Sequence, residues 1–222
     1  MKDYIDTLTE EFARKANPEI AMGQKAYMRN QFEFFGIKTT LRREIQRPFF
    51  AKESLPPKEK VEEIVKILWS KAEREYQFFS QELAYKYRSK LEEDDIKLFE
   101  YMVTHKSWWD TVDFISSKLM GDYLKRFPGQ REIYVEQWIA SKNKWLQRSA
   151  LLFQLNYKEQ LDADFLGYVI QSLLGSNEFF INKAIGWILR QYSRTNPSWV
   201  VEFANKTQLH KLSHKEALRL IK

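Results

Sequence analysis

The chain has 222 residues, of which 44% are hydrophobic and 30% charged, a balance that is typical of a folded globular protein and excludes a disordered one. It contains no cysteine, which excludes disulfides, thiolate zinc sites, iron–sulfur clusters and a cysteine nucleophile. The formal net charge of +6 and the pI of about 9.2 are compatible with a polyanionic partner but do not require one.

The chain has no apolar run of about 18 residues, so we expect no membrane contact. Residues 1–6 are charged and lack the apolar core of a signal peptide, which predicts a cytoplasmic protein. The histidines at 105, 210 and 214 do not have the spacing of metal ligands. His210 and His214 could share a helical face, but we expect Leu212-Ser213 to interrupt the helix between them. We therefore expect no metal site.

Helix signals follow one another from the N-terminus. Asn17-Pro18 predicts a helix start, with Asn as the N-cap and Pro at the first helical position, and Asn196-Pro197 predicts another. Pro56-Pro57 precedes apolar residues at 61, 64, 65 and 68, which have the spacing of one helix face. Two Ser-x-x-Asp/Glu segments, at 107–110 and 213–216, resemble capping boxes that open helices.

Strand alternation and hairpin-turn dipeptides are not found, so the sequence predicts an all-α fold of about a dozen helices of roughly 10 to 18 residues. Four segments begin with a polar residue and continue into a helix of mixed apolar, aromatic and charged residues. Their first residues are Glu73, Ser107, Asn143 and Glu178, at intervals of 34, 36 and 35 residues. This period predicts an α-solenoid of paired helices with a concave surface, in a single domain over residues 1–222. A helical bundle with coincidental spacing is the alternative.

Several of these helices combine aromatic and charged residues on one face. Spacings of three and four residues bring side chains together on a helix. Because equivalent helices of a solenoid present equivalent faces, we expect these residues to converge on one groove. They are Trp109 with Asp113, Trp145 with Arg148, and Lys183 with Trp187, Arg190 and Arg194.

A groove of this composition suits DNA, because Arg and Lys neutralise phosphates while Trp lies against sugars and bases. A carboxylate there repels phosphate unless it stabilises positive charge that develops during a reaction. Purines alkylated at N3 or N7 are cationic, and hydrolysis of their glycosidic bond passes through an oxocarbenium-like sugar that Asp113 could stabilise. Tryptophan faces such as those of Trp109 and Trp187 would add cation–π attraction.

Each residue also has a plainer explanation. Trp108 is the better candidate for core packing of the adjacent pair, and Asp110 is most simply an N-terminal helix carboxylate. Asp113 alone could be a solvated helix residue, and Arg148 a salt-bridge partner between repeats. Residue types and spacing alone therefore indicate a basic helical repeat protein of open function.

Four parts of the chain resemble the AlkD-like family of bacterial DNA alkylation-repair glycosylases. The similarity covers nearly the whole chain, in order and with similar spacing. The segments are Tyr27-Met28-Arg29-Asn30 with Phe35-Gly36-Ile37, Lys106 to Asp113, Ile139 to Arg148, and Glu178 to Trp187 with Leu189-Arg190 and Thr195-Asn196-Pro197.

The resemblance implies HEAT-like repeats that hold duplex DNA in a concave groove and excise 3-methyladenine and 7-methylguanine without base flipping, metal or cofactor. It implies that Asp113 stabilises the sugar cation and orients water, and that Trp109 and Trp187 contact the deoxyribose. Arg148 would hold a phosphate near the lesion. The further DNA contacts that we expect are Tyr27, Lys38, Lys183, Arg190 and Arg194.

Two features depart from the family pattern. Lys38 stands where glutamine is expected, and the chain ends at Lys222, short of the expected C-terminal tail. A non-catalytic HEAT-repeat protein that binds distorted or branched DNA is the alternative function, and a protein-binding scaffold is a third. We expect a monomer, because duplex DNA must enter an open groove.

Overall fold

The computed structural model describes residues 2–221, and within them the secondary structure is helical, with one isolated β-bridge between Glu33 and Glu73 and no strand. This confirms the predicted all-α fold. The α-helices are α1 (Lys2–Arg14), α2 (Pro18–Tyr27), α3 (Thr39–Gln46), α4 (Lys58–Ser70), α5 (Arg74–Lys86), α6 (Asp95–Thr104), α7 (Trp109–Phe114), α8 (Gly121–Arg126), α9 (Arg131–Ala140), α10 (Lys144–Leu152), α11 (Ala163–Ser172), α12 (Phe179–Tyr192), α13 (Pro197–Lys206) and α14 (Lys211–Ala217).

Both Asn-Pro helix starts are confirmed. The Asn17 side chain accepts a hydrogen bond from the amide of Ile20 at 3.0 Å, and Asn196 accepts one from Trp199 at 3.1 Å. The face that was predicted after the two prolines is also confirmed, because its four apolar residues are all buried in α4. Several helices are shorter than predicted, since α7 and α8 have six residues each and are separated by a π-helical segment, Ile115–Met120.

Both predicted capping boxes are wrong. The hydroxyl of Ser107 donates to the carbonyl of Val103 in the preceding helix, and α7 begins at Trp109 without a side-chain cap. Ser213 lies inside α14, which is capped instead by His210 Nδ1, an acceptor for the amide of Leu212 at 3.1 Å. The helix runs through Leu212 and Ser213, so the expected break between the histidines is absent.

The chain divides into two compact units, the first ending at Lys90 and the second beginning at Leu91. In the first unit α4 packs against α5, and the buried carboxylate of Glu75 on α5 holds the loop before α3. Its oxygens accept hydrogen bonds from three consecutive amides, those of Phe35, Gly36 and Ile37, each at 3.1 Å. Gly36 has a φ of +86°, and an added Cβ there would lie 2.0 Å from the carbonyl oxygen of Asn17. This loop therefore requires glycine.

In the second unit α10 is the central helix. It contacts α6, α7, α9, α11, α12 and the π-helical segment, and its residues Ala150 to Leu152 are buried. The helices that were predicted to repeat begin at Arg74, Trp109, Lys144 and Phe179, a constant interval of 35 residues. Three of the four, α7, α10 and α12, lie in this unit, where α10 packs directly against the other two.

Candidate active site

Side chains from α7, α10 and α12 line a cavity of about 330 Å³ in the second unit. Six of the residues that were predicted to share one groove lie in its wall, and two phenylalanines complete it. The wall consists of Trp109, Asp113, Arg148, Phe179, Phe180, Lys183, Trp187 and Arg190. Their proximity is a feature of the structure, whereas their roles stay predictions.

A side-on ion pair joins Asp113 on α7 to Arg148 on α10. Arg148 Nε donates to Oδ1 of Asp113 at 2.7 Å, and Nη2 donates to Oδ2 at 3.0 Å. Nη1 donates to the carbonyl of Phe180, at the start of α12. The side chains of Arg148 and Asp113 are 4% and 16% exposed, so the carboxylate is the partner that retains access to the cavity. Arg148 thus connects all three helices of the site.

Close packing between α10 and the π-helical segment, Ile115–Met120, fixes the positions of Asp113 and Arg148 relative to each other. Ser116 and Ser149 are buried and share a hydroxyl–hydroxyl hydrogen bond of 2.7 Å, one turn from Asp113 and next to Arg148. Ser117 donates to the carbonyl of Asp113 at 2.6 Å. A Cβ at Gly121 would lie 2.7 Å from the Phe153 carbonyl, so the approach also needs glycine there. The π-helical geometry begins two residues after Asp113, and such segments are frequent at functional sites.

Burial raises the pKa of Asp113 above its ordinary value, because a carboxylate loses hydration in the wall of the cavity. The hydrogen bonds and the positive charge of Arg148 lower the pKa, and the charge of Asp110 adds to the rise. The guanidinium is permanently charged and donates to both carboxylate oxygens, a geometry that is made for the ionised form. Arg148 therefore opposes protonation of an otherwise poorly solvated acid.

The adjacent tryptophans at the start of α7 have different surroundings. Trp108 packs against Trp145 and Phe180, with ring centroids 5.8 and 5.4 Å away, whereas Trp109 lines the cavity. Trp145 is 7% exposed and packs against Phe180 with a centroid distance of 4.9 Å. The expectation that Trp145 lies in the groove beside Arg148 is therefore wrong, because its ring packs against Trp108 and Phe180, of which Phe180 lines the cavity and Trp145 does not.

On α12, the cavity residues Lys183 and Arg190 bind a carboxylate that the sequence did not reveal. Glu216 of α14 accepts a hydrogen bond from Lys183 Nζ at 2.9 Å and another from Arg190 Nη1. The hydrogen bond from Lys183 is the largest influence on Glu216 and lowers its pKa, with the charges of Lys183 and Arg190 acting in the same direction. Arg194 lies in the turn after α12, is exposed and is outside the cavity wall.

A family model described as DNA alkylation repair enzyme matches residues 8–221. The chain belongs to this family. It is also similar to a solved structure from Enterococcus faecalis, described as a predicted DNA alkylation repair enzyme, with 34% sequence identity and a TM-score of 0.86. That similarity covers 93% of this chain and 96% of the other. No curated protein matches the chain. The resemblance that was inferred from the sequence is thereby confirmed, and the protein is a DNA repair enzyme.

Two of the expected DNA contacts of the repair enzyme lie in its first unit. Tyr27 at the end of α2 and Lys38 before α3 line a second cavity, of about 450 Å³, together with Met28, Phe34 and Phe78. Tyr27 is 70% exposed, and Lys38 is also exposed at the N-cap position of α3. Both residues are thus exposed at the surface of this unit.

Within residues 2–221 the repair enzyme has no group of three or more His, Asp or Glu side chains that could hold a metal ion. The helices described here include none that is long and apolar enough to cross a membrane. The charged groups in the described cavity wall are the carboxylate of Asp113, the guanidinium groups of Arg148 and Arg190, and the ammonium group of Lys183.

Proposed function

We propose that this repair enzyme is a DNA glycosylase that hydrolyses the N-glycosidic bond of cationic N3- and N7-alkylated purines in duplex DNA without base flipping. The observation that carries the proposal is the Asp113 carboxylate, held by Arg148 in the wall of a cavity that Trp109 and Trp187 also line. Arg148 offsets the charge of this carboxylate before reaction, and the carboxylate can stabilise positive charge that develops next to it during a reaction. Phe179, 57% exposed at the cavity, offers an apolar surface that a duplex could contact.

The main requirement of this reaction is stabilisation of the positive charge that develops on the sugar. An alkylated purine departs as a neutral base, so no general acid is needed, and the glycosidic bond breaks with the electron pair leaving on the purine nitrogen. The remaining deoxyribose carries oxocarbenium character, which an adjacent carboxylate stabilises. Water then adds to the anomeric carbon, and its proton passes to Asp113 or to solvent.

The other cavity residues fit supporting roles. The faces of Trp109 and Trp187 would contribute cation–π attraction of about 0.5 to 2 kcal/mol to a sugar cation. Arg148 uses three of its five N–H groups on Asp113 and Phe180, so a phosphate contact by this residue would rely on the remaining two. Its first role in this proposal is to keep Asp113 ionised and correctly oriented, and Lys183 and Arg190 would bind the DNA backbone.

The test is Asp113→Asn, which keeps the shape of the side chain and removes its charge. We expect duplex binding within a few-fold of wild type, and release of 7-methylguanine slower by about 10²-fold or more, the usual cost of losing one preorganised electrostatic group. Bases released from methylated duplex DNA are separated by chromatography and quantified. The matched control is Asp164→Asn, the same substitution at an exposed position of α11, which should release bases at the wild-type rate.

Equal release by wild type and Asp113→Asn would remove Asp113 from the mechanism. If the wild-type protein releases no base from methylated DNA but binds branched or distorted duplexes tightly, the non-catalytic alternative is correct. Absence of any salt-dependent DNA affinity would favour a protein-binding scaffold.

A further inference from the structure

Glu216 is a buried carboxylate that bridges the two cations of the cavity wall. Its two oxygens have different partners in the cavity wall, Lys183 Nζ on Oε1 at 2.9 Å and Arg190 Nη1 on Oε2. A third cation, the exposed Arg219 of the C-terminal segment, lies further from Oε1, at 4.0 Å. The Glu216 side chain is 11% exposed, whereas those of Lys183 and Arg190 are 36% and 23% exposed. The carboxylate therefore lies beneath the cations, which retain the exposed positions.

The packing of α14 against α12 places Glu216 there. An added Cβ at Gly186 would lie 2.5 Å from the Cβ of Glu216 and 3.0 Å from the carbonyl oxygen of Ser213, so only glycine permits this approach. The Ser213 hydroxyl donates to the carbonyl of Asn182 on α12 at 2.8 Å. Gly186 lies midway between Lys183 and Arg190 along α12, and the carboxylate consequently reaches both.

We propose that Glu216 is a positioning residue that holds Lys183 and Arg190 together as a preformed site for one phosphate of the DNA backbone. The inference rests on the proposed DNA-binding role of these two cations. Because both surround a single carboxylate, their charged ends are close enough to bind one phosphate. Each also keeps further N–H donors, since an ammonium has three and a guanidinium five. Long cationic side chains that are already fixed lose less conformational freedom when they bind a ligand.

The experiment is Glu216→Gln, with affinity for unmodified duplex DNA measured across a range of salt concentrations. Removal of a negative charge by itself favours binding of a polyanion, so a positioning role predicts the opposite sign from simple electrostatics. We expect the Kd to rise about tenfold, and the slope of log K against log salt to fall by about 1, the value for one lost phosphate contact. In single-turnover base release, the larger part of the loss should fall on Kd.

Glu202→Gln is the matched control, because it makes the same charge change on α13, where Glu202 pairs with Lys206 at 2.6 Å. We expect it to bind duplex DNA as tightly as wild type or slightly more tightly, with an unchanged salt slope. If Glu216→Gln binds as tightly as this control, with an unchanged slope, the proposal is overturned.

A second variant separates positioning from folding. Adding Glu216→Gln to the Lys183→Met/Arg190→Met protein should weaken binding no further, because in this proposal Glu216 supports DNA binding through these two side chains and not through the exposed Arg219. An additional loss there, accompanied by a lower melting temperature, would show that Glu216 acts through the fold and would overturn the proposal. Binding to unmodified duplex requires no base release, so failure of the glycosylase proposal would leave these comparisons valid.

Discussion

At the scale of single residues, two opposing influences act on the acid of the cavity. Burial raises the pKa of Asp113, and Arg148 lowers it through two hydrogen bonds and its charge. In the proposed reaction only the ionised carboxylate stabilises a sugar cation. Arg148 therefore determines the range of pH over which the acid works, in addition to holding its orientation.

Substitution Arg148→Gln should move the acid limb of the pH–rate profile for base release to higher pH. Without the guanidinium, burial and the charge of Asp110 remain as the influences that raise the pKa of Asp113. Protonation would then begin to inactivate the site at a higher pH than in wild type. We also expect a loss of about 2 kcal/mol in the free energy of unfolding at neutral pH, because the nearly buried carboxylate loses its partner.

The control for this shift is Arg131→Gln. Arg131 pairs with Asp162 at 2.9 Å outside the cavity wall and packs over the ring of Phe165, so its loss removes an Arg–Asp pair that is not part of the site. The pH profile of this variant should match wild type. A wild-type profile for Arg148→Gln as well would mean that Asp113 does not titrate in the reaction.

Helical spacing predicted the proximity of six of the cavity residues, and a salt bridge of Arg148 between repeats was also foreseen, but the partner of Lys183 and Arg190 was not. Trp109 with Asp113, and Lys183 with Arg190, follow helical intervals that are visible in the sequence. Glu216 was missed because a pairing between helices depends on how closely α14 packs, which no local pattern encodes. Gly186, inside an otherwise strong helix pattern, was the available signal, since an interior glycine often marks a close approach.

At the scale of helices, two glycines inside helices, Gly23 and Gly186, have opposite surroundings. A Cβ at Gly186 would collide with Glu216 and Ser213, whereas a Cβ at Gly23 in α2 would meet nothing within 4 Å. In a free helix, alanine is more stable than glycine by about 1 kcal/mol. Tertiary packing at Gly186 overrides that preference.

The pair of variants Gly186→Ala and Gly23→Ala should therefore change stability in opposite directions. Gly23→Ala should raise the free energy of unfolding by about 0.5 to 1 kcal/mol, because glycine costs conformational entropy on folding. Gly186→Ala should lower it by about 1 to 3 kcal/mol, because α14 must move away from α12. Chemical denaturation measures both, and an increase in stability for Gly186→Ala would contradict the close approach.

Helix starts were predictable where the cap is local. Asn17 and Asn196 bond to amides three residues ahead, and the following proline fixes the first turn. Ser107 and Ser213 had equally good local motifs, but their hydroxyls bond to the carbonyls of Val103 and Asn182 instead. Neither hydroxyl caps the helix that its motif predicted, because each bonds to a carbonyl of another helix instead.

For the whole molecule, the net charge of +6 contributes to DNA affinity independently of any single contact. The expected contacts are divided between the units, with Tyr27 and Lys38 in the first and the cavity residues in the second. Contacts without shared partners contribute additively to binding. The slope of log K against log salt measures the number of phosphate contacts, because each neutralised phosphate releases counterions.

Replacement of Lys38 by glutamine, the residue expected from the family pattern, tests the contribution of the first unit. If Lys38 binds a phosphate, Lys38→Gln should lower the salt slope by about 1 and weaken binding to all duplex sequences alike. Combined with Lys183→Gln it should lower the slope by about 2, because the two side chains belong to different units and share no partner. Lys206→Gln, the same substitution on α13, corrects for the change in net charge and should leave the slope unaltered. A slope for Lys38→Gln equal to that of Lys206→Gln would mean that Lys38 binds no phosphate.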